Sequence, residues 1–268
     1  MNSSSTAPAV SVFIITLNEI EHIEQAIRSV QHLDEIIVVD SGSTDGTVEA
    51  AKALGATVVH QDWLGYAKQK HFAMQLCRNQ WCFNLDGDEV VPAAVLGEIL
   101  ALVADDQCDA IRVRFEDFFM GSAMHPKSHK RSIVRVYKKD RIEFPLHKSV
   151  HENVKVTGRV AKIKGCIHHY GYDSVAKLLG KQNKYSSLRA AEKYAGGKRS
   201  RWLKLLLVMP VIFAKSYFLR RMFLSGWRGF IHAVVEAMYA FLKEAKLLEL
   251  TRVGSSEKEK SWPNGRLK

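Results

Sequence analysis

Asp86-Gly87-Asp88-Glu89 follows the apolar run Trp81 to Leu85. Two carboxylates separated by one small residue can present oxygens to a hard divalent cation and to a ribose, and Gly87 lets the backbone turn sharply between them. Mg2+ takes only one or two protein carboxylates and completes its shell with water and phosphate, so this small cluster suffices once a diphosphate is present. The plainer role of such a turn is a solvated acidic cap on the next helix. Asp40 ends a second apolar run, EIIVVD (Glu35 to Asp40), and could accept hydrogen bonds from a nucleotide base or ribose.

The elements that must position these carboxylates alternate between two periods. VSVFIIT (Val10 to Thr16) reads as a buried strand, and Ile20, Ile23, Ile27 and Val30 recur at helical spacing from Glu19 to Val30. Strands follow at Glu35 to Asp40, Ala56 to His60, Trp81 into the acidic turn, and Ala110 to Phe115. Helices lie between them: from the SGSTDGT turn, capped by Thr44 or Asp45, to about Leu54; from Tyr66 to Cys77; and from near Pro92 to near Val103. This alternation predicts an α/β, doubly wound, mostly parallel sheet. Ligands then collect beyond the carboxyl ends of the strands, where Asn18, Asp40 and the DGD cluster fall. Residues 125–172 are less regular, with short strand candidates at 132–137 and 160–167, and from Ser174 the pattern is helical to about Leu250.

Three segments, TLNE (Thr16 to Glu19), VVDSGSTDGT (Val38 to Thr47) and NLDGDE (Asn84 to Glu89), resemble in order and separation the signatures of family 2 glycosyltransferases. HKSVHENV (His147 to Val154), IHHYGY (Ile167 to Tyr172) and the SGWRGF segment are similar to the lipopolysaccharide core β-1,4-glucosyltransferase-like branch. The resemblance implies a GT-A (nucleotide-diphospho-sugar transferase) catalytic domain. It also implies an inverting transfer of a sugar, glucose in that branch, from a UDP-sugar to a lipopolysaccharide-core or other lipid-linked glycan, with Mg2+ or Mn2+ as cofactor. By the same resemblance Thr16, Asn18, Glu19 and Asp40 hold the donor nucleotide, with Lys70 beside it. Asp86 approaches the ribose, Asp88 ligates the metal, and His169 reaches the metal or diphosphate. Gly87 stands where Ala is common and Val90 where Arg is common after the acidic motif; neither change removes a ligand.

Inverting transfer needs a base on the face of the sugar opposite the leaving group. Glu152 is the first choice, because HENV lies in the irregular region that would roof the sheet edge; Glu89 and Glu143 follow it. His147 and His151 could orient that base or bind acceptor phosphate. Lys127, Lys130, Arg131 and Arg135 read either as a solvated basic face or as a site for a phosphorylated acceptor.

Charge divides the chain. Residues 1–173 hold 19 Lys+Arg against 22 Asp+Glu, a balance of −3, and residues 174–268 hold 20 against 6, a balance of +14. This predicts a catalytic domain over 1–173 and a basic, amphipathic, membrane-associating helical extension over 174–268. In the extension cations alternate with Leu, Phe, Trp and Val, a pattern suited to an anionic membrane surface and not to a nucleic-acid arm. The longest charge-free run there, Leu205 to Ala214, has ten residues and a central Pro210, so the expectation is interfacial attachment at the cytoplasmic face of an inner membrane and not a span. Packing of these helices on protein is the alternative. The four cysteines have no zinc spacing, and no secretory apolar segment precedes Val10, so reduced thiols are expected.

Other functions fit less well. A sugar nucleotidyltransferase would carry a Gly-rich, basic phosphate loop after the first strand, and a dinucleotide enzyme a GxGxxG turn; TLNEIEH is neither. A transferase of the same fold acting on a polysaccharide or protein stays open. A non-catalytic basic membrane adaptor would explain the tail but leave the acidic cluster idle.

Overall fold

The computed structural model describes residues 9–146 and 153–260. The first unit contains strands β1 (Val10–Thr16), β2 (Glu35–Asp40), β3 (Thr57–His60), β4 (Trp81–Asp86) and the short β5 (Glu89–Val90). Helices α1 (Ile23–Arg28), α2 (Thr47–Ala53), α3 (Tyr66–Leu76) and α4 (Ala93–Asp105) alternate with them. There follow β6 (Ala110–Phe119), β7 (Ser122–Ala123), β8 (Ser132–Lys138), β9 (Ile142–Glu143), β10 (Lys155–Val156) and β11 (Val160–Tyr172).

The main sheet runs β3-β2-β1-β4-β8-β6-β11-β5, with β7 paired to β6. It is mixed, and its longer pairings are mostly parallel, as expected. β3, β2, β1 and β4 are parallel neighbours, but β8 lies antiparallel to both β4 and β6. The chain reaches β8 from β6 without a crossover helix, and such a return reverses direction. The apolar face formed with Ile23 and Ile27 of α1, Ala51 of α2 and Ile99 of α4 is buried; Ala73 and Met74 of α3 are buried in a second cluster with Phe13, Ile37 and Tyr137. Apolar cover on both faces is why β1, β2 and β4 read as continuous apolar runs.

Several boundaries move. The first helix shrinks to Ile23–Arg28 because the Glu19 carbonyl accepts from the N–H groups of both His22 and Ile23, closing a turn before the helix proper. β6 and β11 run past the expected ends at 115 and 167, to Phe119 and Tyr172, as parallel partners of each other. Glu116 and Asp117 open one extension and His168 and His169 the other, so apolar alternation stops before the strands do. All four cysteines are free thiols.

The second compact unit consists of Met124–His129 and the described residues from Ser174 onward. α5 (Val175–Ala195) starts at Ser174, whose hydroxyl accepts from the N–H of Lys177. α6 (Trp202–Ala214) widens into a π turn over Lys215–Leu219; Arg221 then adopts φ 56°, a 3-10 turn spans Met222–Ser225, and α7 runs Gly226–Lys260. A Cβ on Gly229 would meet the Met222 carbonyl oxygen at 1.8 Å, so only glycine lets α7 pass this close to the turn. Met124–His129 supplies partners to the same turn: the His125 N–H donates to Ser225 Oγ (2.9 Å), Ser128 Oγ to the Arg221 carbonyl (3.0 Å) and the His129 N–H to the Arg220 carbonyl (2.9 Å).

One expectation needs correction here. Trp202–Leu219 is an 18-residue helical stretch with mean hydropathy 1.6, long and apolar enough by length and composition to cross a membrane. Counting only the charge-free residues from Leu205 to Ala214 missed this, because Lys204 and Lys215 interrupt the run without ending the helix.

Candidate active site

The register of the parallel strands brings the acidic residues together. Thr16 is opposite Asp40 across β1 and β2, and Ile15 is opposite Asp86 across β1 and β4, so the three strand ends share one edge. Asn18 sits just beyond, at φ 57°, a conformation Asn tolerates; its Oδ1 accepts from the Thr44 N–H (2.9 Å) while its own N–H donates to Ser43 Oγ (2.8 Å). The Glu19 N–H donates to Thr47 Oγ1 (2.9 Å). The TLNE turn is therefore stapled to the SGSTDGT loop. Asp40 is buried and spent on that loop, accepting from the N–H groups of Gly42 (2.8 Å) and Ser43 (2.9 Å) and from Ser43 Oγ (2.5 Å). Beside it, Thr16 Oγ1 is buried with no hydrogen-bond partner among the described residues.

Asp86 lies between two cations. Lys70 Nζ, from α3, is 2.9 Å from Oδ1, and Arg135 Nη2, from β8, donates to Oδ2 at 2.6 Å. The same Arg135 nitrogen donates to Glu89 Oε1 at 2.6 Å, and Glu89 Oε2 accepts from the Asp86 N–H at 3.0 Å. The acidic turn is thus closed by a ring of contacts, with the Arg135 guanidinium 5.2 Å from the Phe115 ring centroid. Burial works to raise the Asp86 pKa, but Arg135 and Lys70 outweigh it and hold the carboxyl well below the usual range. Glu89, fully buried, is pushed up to about 7 by desolvation against the opposing pull of Arg135.

The second half of the site comes from β11, which lies between β6 and β5. His169 is opposite Asp117 on one side and Glu89 on the other. Its Nε2 is 3.7 Å from Asp88 Oδ2, and its Nδ1 is 2.9 Å from Asp117 Oδ1, an ion-pair distance with the oxygen off the line of the ring N–H. Arg131 Nη2 donates to the same Asp117 oxygen at 2.9 Å. For His169 burial lowers the pKa, and Asp88 and Asp117 more than reverse that. For Asp117 burial is outweighed by His169 and Arg131, and the carboxyl is held far below its ordinary value. Gly171 keeps the space in front of the pair open: a Cβ there would stand 2.4 Å from Asp88 Oδ2 and 2.8 Å from His169 Nε2. A carboxylate oxygen and an imidazole nitrogen facing one space that only glycine leaves clear form a donor set suited to a divalent cation.

The structure therefore brings together Thr16, Asn18, Glu19, Asp40, Lys70, Asp86, Asp88 and His169 within one connected edge of the sheet. Glu152, His147 and His151 lie outside the described residues. Glu89 has both oxygens engaged, and Glu143 is an exposed residue of β9 opposite Lys155 of β10. Sequence reasoning missed Asp117, and it named Arg131 and Arg135 only as a basic face or acceptor-phosphate site, not as partners of the site's carboxylates. The basic set read as one face divides: Arg135 is buried, Arg131 pairs with Asp117 and Lys130 with Glu116 (2.8 Å), while Lys127 is exposed. The available signal was an arginine inside the apolar alternation of SIVRVYK, a position that folding buries and that therefore demands carboxylate partners. A further group, Glu21, His22 and Asp173, has ligand atoms within 4.8 Å of one another. His22 Nε2 is 2.9 Å from Asp173 Oδ2, tying the turn after β1 to the end of β11.

Comparison with known proteins identifies the family. The chain is 34% identical over 250 residues to the lipopolysaccharide core biosynthesis glycosyltransferase LpsC of Rhizobium meliloti, covering 90% of this chain and 92% of LpsC. It is 37% identical over 257 residues to an uncharacterized glycosyltransferase of Rickettsia typhi, covering 90% and 87%. The S. aureus TarS structure in complex with UDP-GlcNAc superposes with a TM-score of 0.49 at 14% identity over 92% of both chains. The model of the family "Glycosyl transferase family 2" matches residues 11–160. With that match over more than half its length and a relative 34% identical over 90% of the chain, the chain belongs to glycosyl transferase family 2 and is a glycosyltransferase.

Proposed function

We propose that this glycosyltransferase moves a hexose, glucose by the resemblance of its motifs, from a UDP-sugar to a lipid-linked glycan of the lipopolysaccharide-core kind, with inversion and with Mg2+ or Mn2+. Its place is the cytoplasmic face of an inner membrane, where the basic C-terminal unit meets anionic lipid. The observation that carries the reading is the edge shared by Thr16, Asp40 and Asp86 beside the Asp88–His169 pair and its glycine-lined space. The name of LpsC supports the acceptor class.

The chain's residues then divide the work. Thr16, whose buried hydroxyl oxygen has no protein partner, faces the nucleotide with Asn18, Glu19 and Asp40. Lys70 and Arg135 fix the Asp86 carboxylate, leaving lone pairs on each oxygen for ribose hydroxyls. Asp88 and His169 would hold the metal, which when bound offsets charge on the departing diphosphate. Glu152 accepts the proton of the attacking acceptor hydroxyl.

The test is release of UDP from UDP-glucose and other nucleotide sugars by the full chain, with and without Mn2+, alongside Asp88→Ala. Asp88→Ala is expected to abolish transfer and weaken Mn2+ binding, with some loss of thermal midpoint as well, since Asp88 is buried beside His169. Near wild-type activity of this variant would overturn the metal assignment, and failure of every nucleotide sugar to bind would overturn the donor assignment.

A further inference from the structure

The membrane reading above can be deepened from the C-terminal unit alone, because α6 has no polar face. On the side toward α7, Leu205 and Ser216 are buried, and Ser216 Oγ donates to Glu236 of α7 at 2.6 Å. On the opposite side Leu203, Leu206, Leu207 and Val211, which share one face at helical spacing, are each at least 50% exposed. α7 presents a second exposed stripe, Trp227, Phe230, Met238 and Phe241, again on one face. Phe230 packs edge-on against the rings of Phe213 (5.7 Å) and Tyr217 (5.9 Å), which joins the two stripes. Lys204 and Lys215, eleven positions apart, fall on one flank of α6.

We propose that this joined apolar face lies flat in the interfacial layer of an anionic bilayer, with α6 and α7 both parallel to the membrane surface. A helix whose exposed residues are apolar but for Lys204 calls for cover. A second copy is a poor cover, because it would bring another +14 region against the first, whereas the same charge favours anionic headgroups. A span by α6 conflicts with its packing on α7. Glu236 pairs with Arg220, and Glu244 with Lys193 (2.5 Å) and Lys204 (3.1 Å), so a crossing α6 would either break these contacts or draw carboxylates into hydrocarbon. Lying flat keeps every pair, Lys204 to Glu244 included, buries the apolar face and lets Lys215 reach headgroups along its stem.

The experiment measures binding and depth without any donor sugar, so its failure is separable from failure of the transferase reading. The full chain is mixed with vesicles of phosphatidylcholine containing phosphatidylglycerol and with phosphatidylcholine alone; at least about tenfold tighter binding to the anionic vesicles is expected. Val211→Glu and, separately, Leu206→Glu, both exposed positions, should weaken that binding about tenfold or more with unchanged melting and UDP-sugar affinity. Leu207→Trp then reports depth. Its added fluorescence should be quenched more by lipids brominated near the glycerol than by lipids brominated near the chain ends. Stronger quenching from the chain ends would establish a span and overturn the flat arrangement. Absence of vesicle binding, or a dimer that Val211→Glu dissociates, would make the face a protein interface.

Discussion

Arg135 is the residue on which both halves of the acidic turn depend. One nitrogen reaches Asp86 and Glu89 at 2.6 Å each, in a buried place. Removing one partner of a buried charge cluster leaves the others uncompensated, at a cost of about 3–5 kcal/mol. Arg135→Gln should therefore lower unfolding stability by about that amount in urea titration, and lower kcat/KM by about 10–100-fold as expected for an outer support of a ligand set. Arg135→Lys should recover part of the stability but less of the activity, since an ammonium lacks the planar fork. Glu152 and Glu89 can be separated at the same scale. Glu152→Gln keeps size and hydrogen bonding but cannot take a proton, so turnover should fall by about 10²-fold or more with donor affinity preserved. Glu89→Gln, at a residue whose oxygens already accept from Arg135 and the Asp86 N–H, should act first on stability. An active Glu152→Gln beside a dead but folded Glu89→Gln would exchange their roles.

At the scale of elements, the pairing of α7 with α5 and α6 turns on Glu244. Burial works to raise its pKa, but hydrogen bonds from Lys193 and Lys204 win and hold it below its ordinary 4.5. A carboxyl lowered on folding contributes stability that is fully present above its unfolded value and lost as pH falls through the folded one. Wild type should therefore melt above Glu244→Gln at neutral pH, and the gap should narrow as pH drops below about 4.5. A constant gap would mean the glutamate acts through packing instead of charge. Elements also show what the sequence could and could not reveal. β1, β2 and β4 were legible because apolar cover on both faces leaves uninterrupted Val, Ile and Phe. The far ends of β6 and β11 were not, because Asp117 and His169 face the site while Glu116 and His168 pair on the other side, so polar groups fall on both faces and break the alternation that marks a strand.

For the whole molecule, the residues proposed to hold the donor, Lys70 apart, were readable as neighbours because they lie in three short segments whose strand ends the parallel register aligns. Arg135, Arg131 and Asp117 belong to the site only through pairing of β8, β6 and β11, which no local spacing encodes. The helical character and charge of the C-terminal third were equally plain, but the membership of Met124–His129 in that unit was not. Its tie to the α6–α7 turn has a consequence in time. The His125 and Ser128 contacts reach residues 100 and 93 positions later. At about 5–20 residues per second of synthesis, these six residues leave the ribosome roughly 5–20 s before the turn that seats them exists. Until then the segment is an unseated loop between β7 and β8, and the second unit cannot be completed by the C-terminal helices alone, so its closure must wait for that turn to be synthesised.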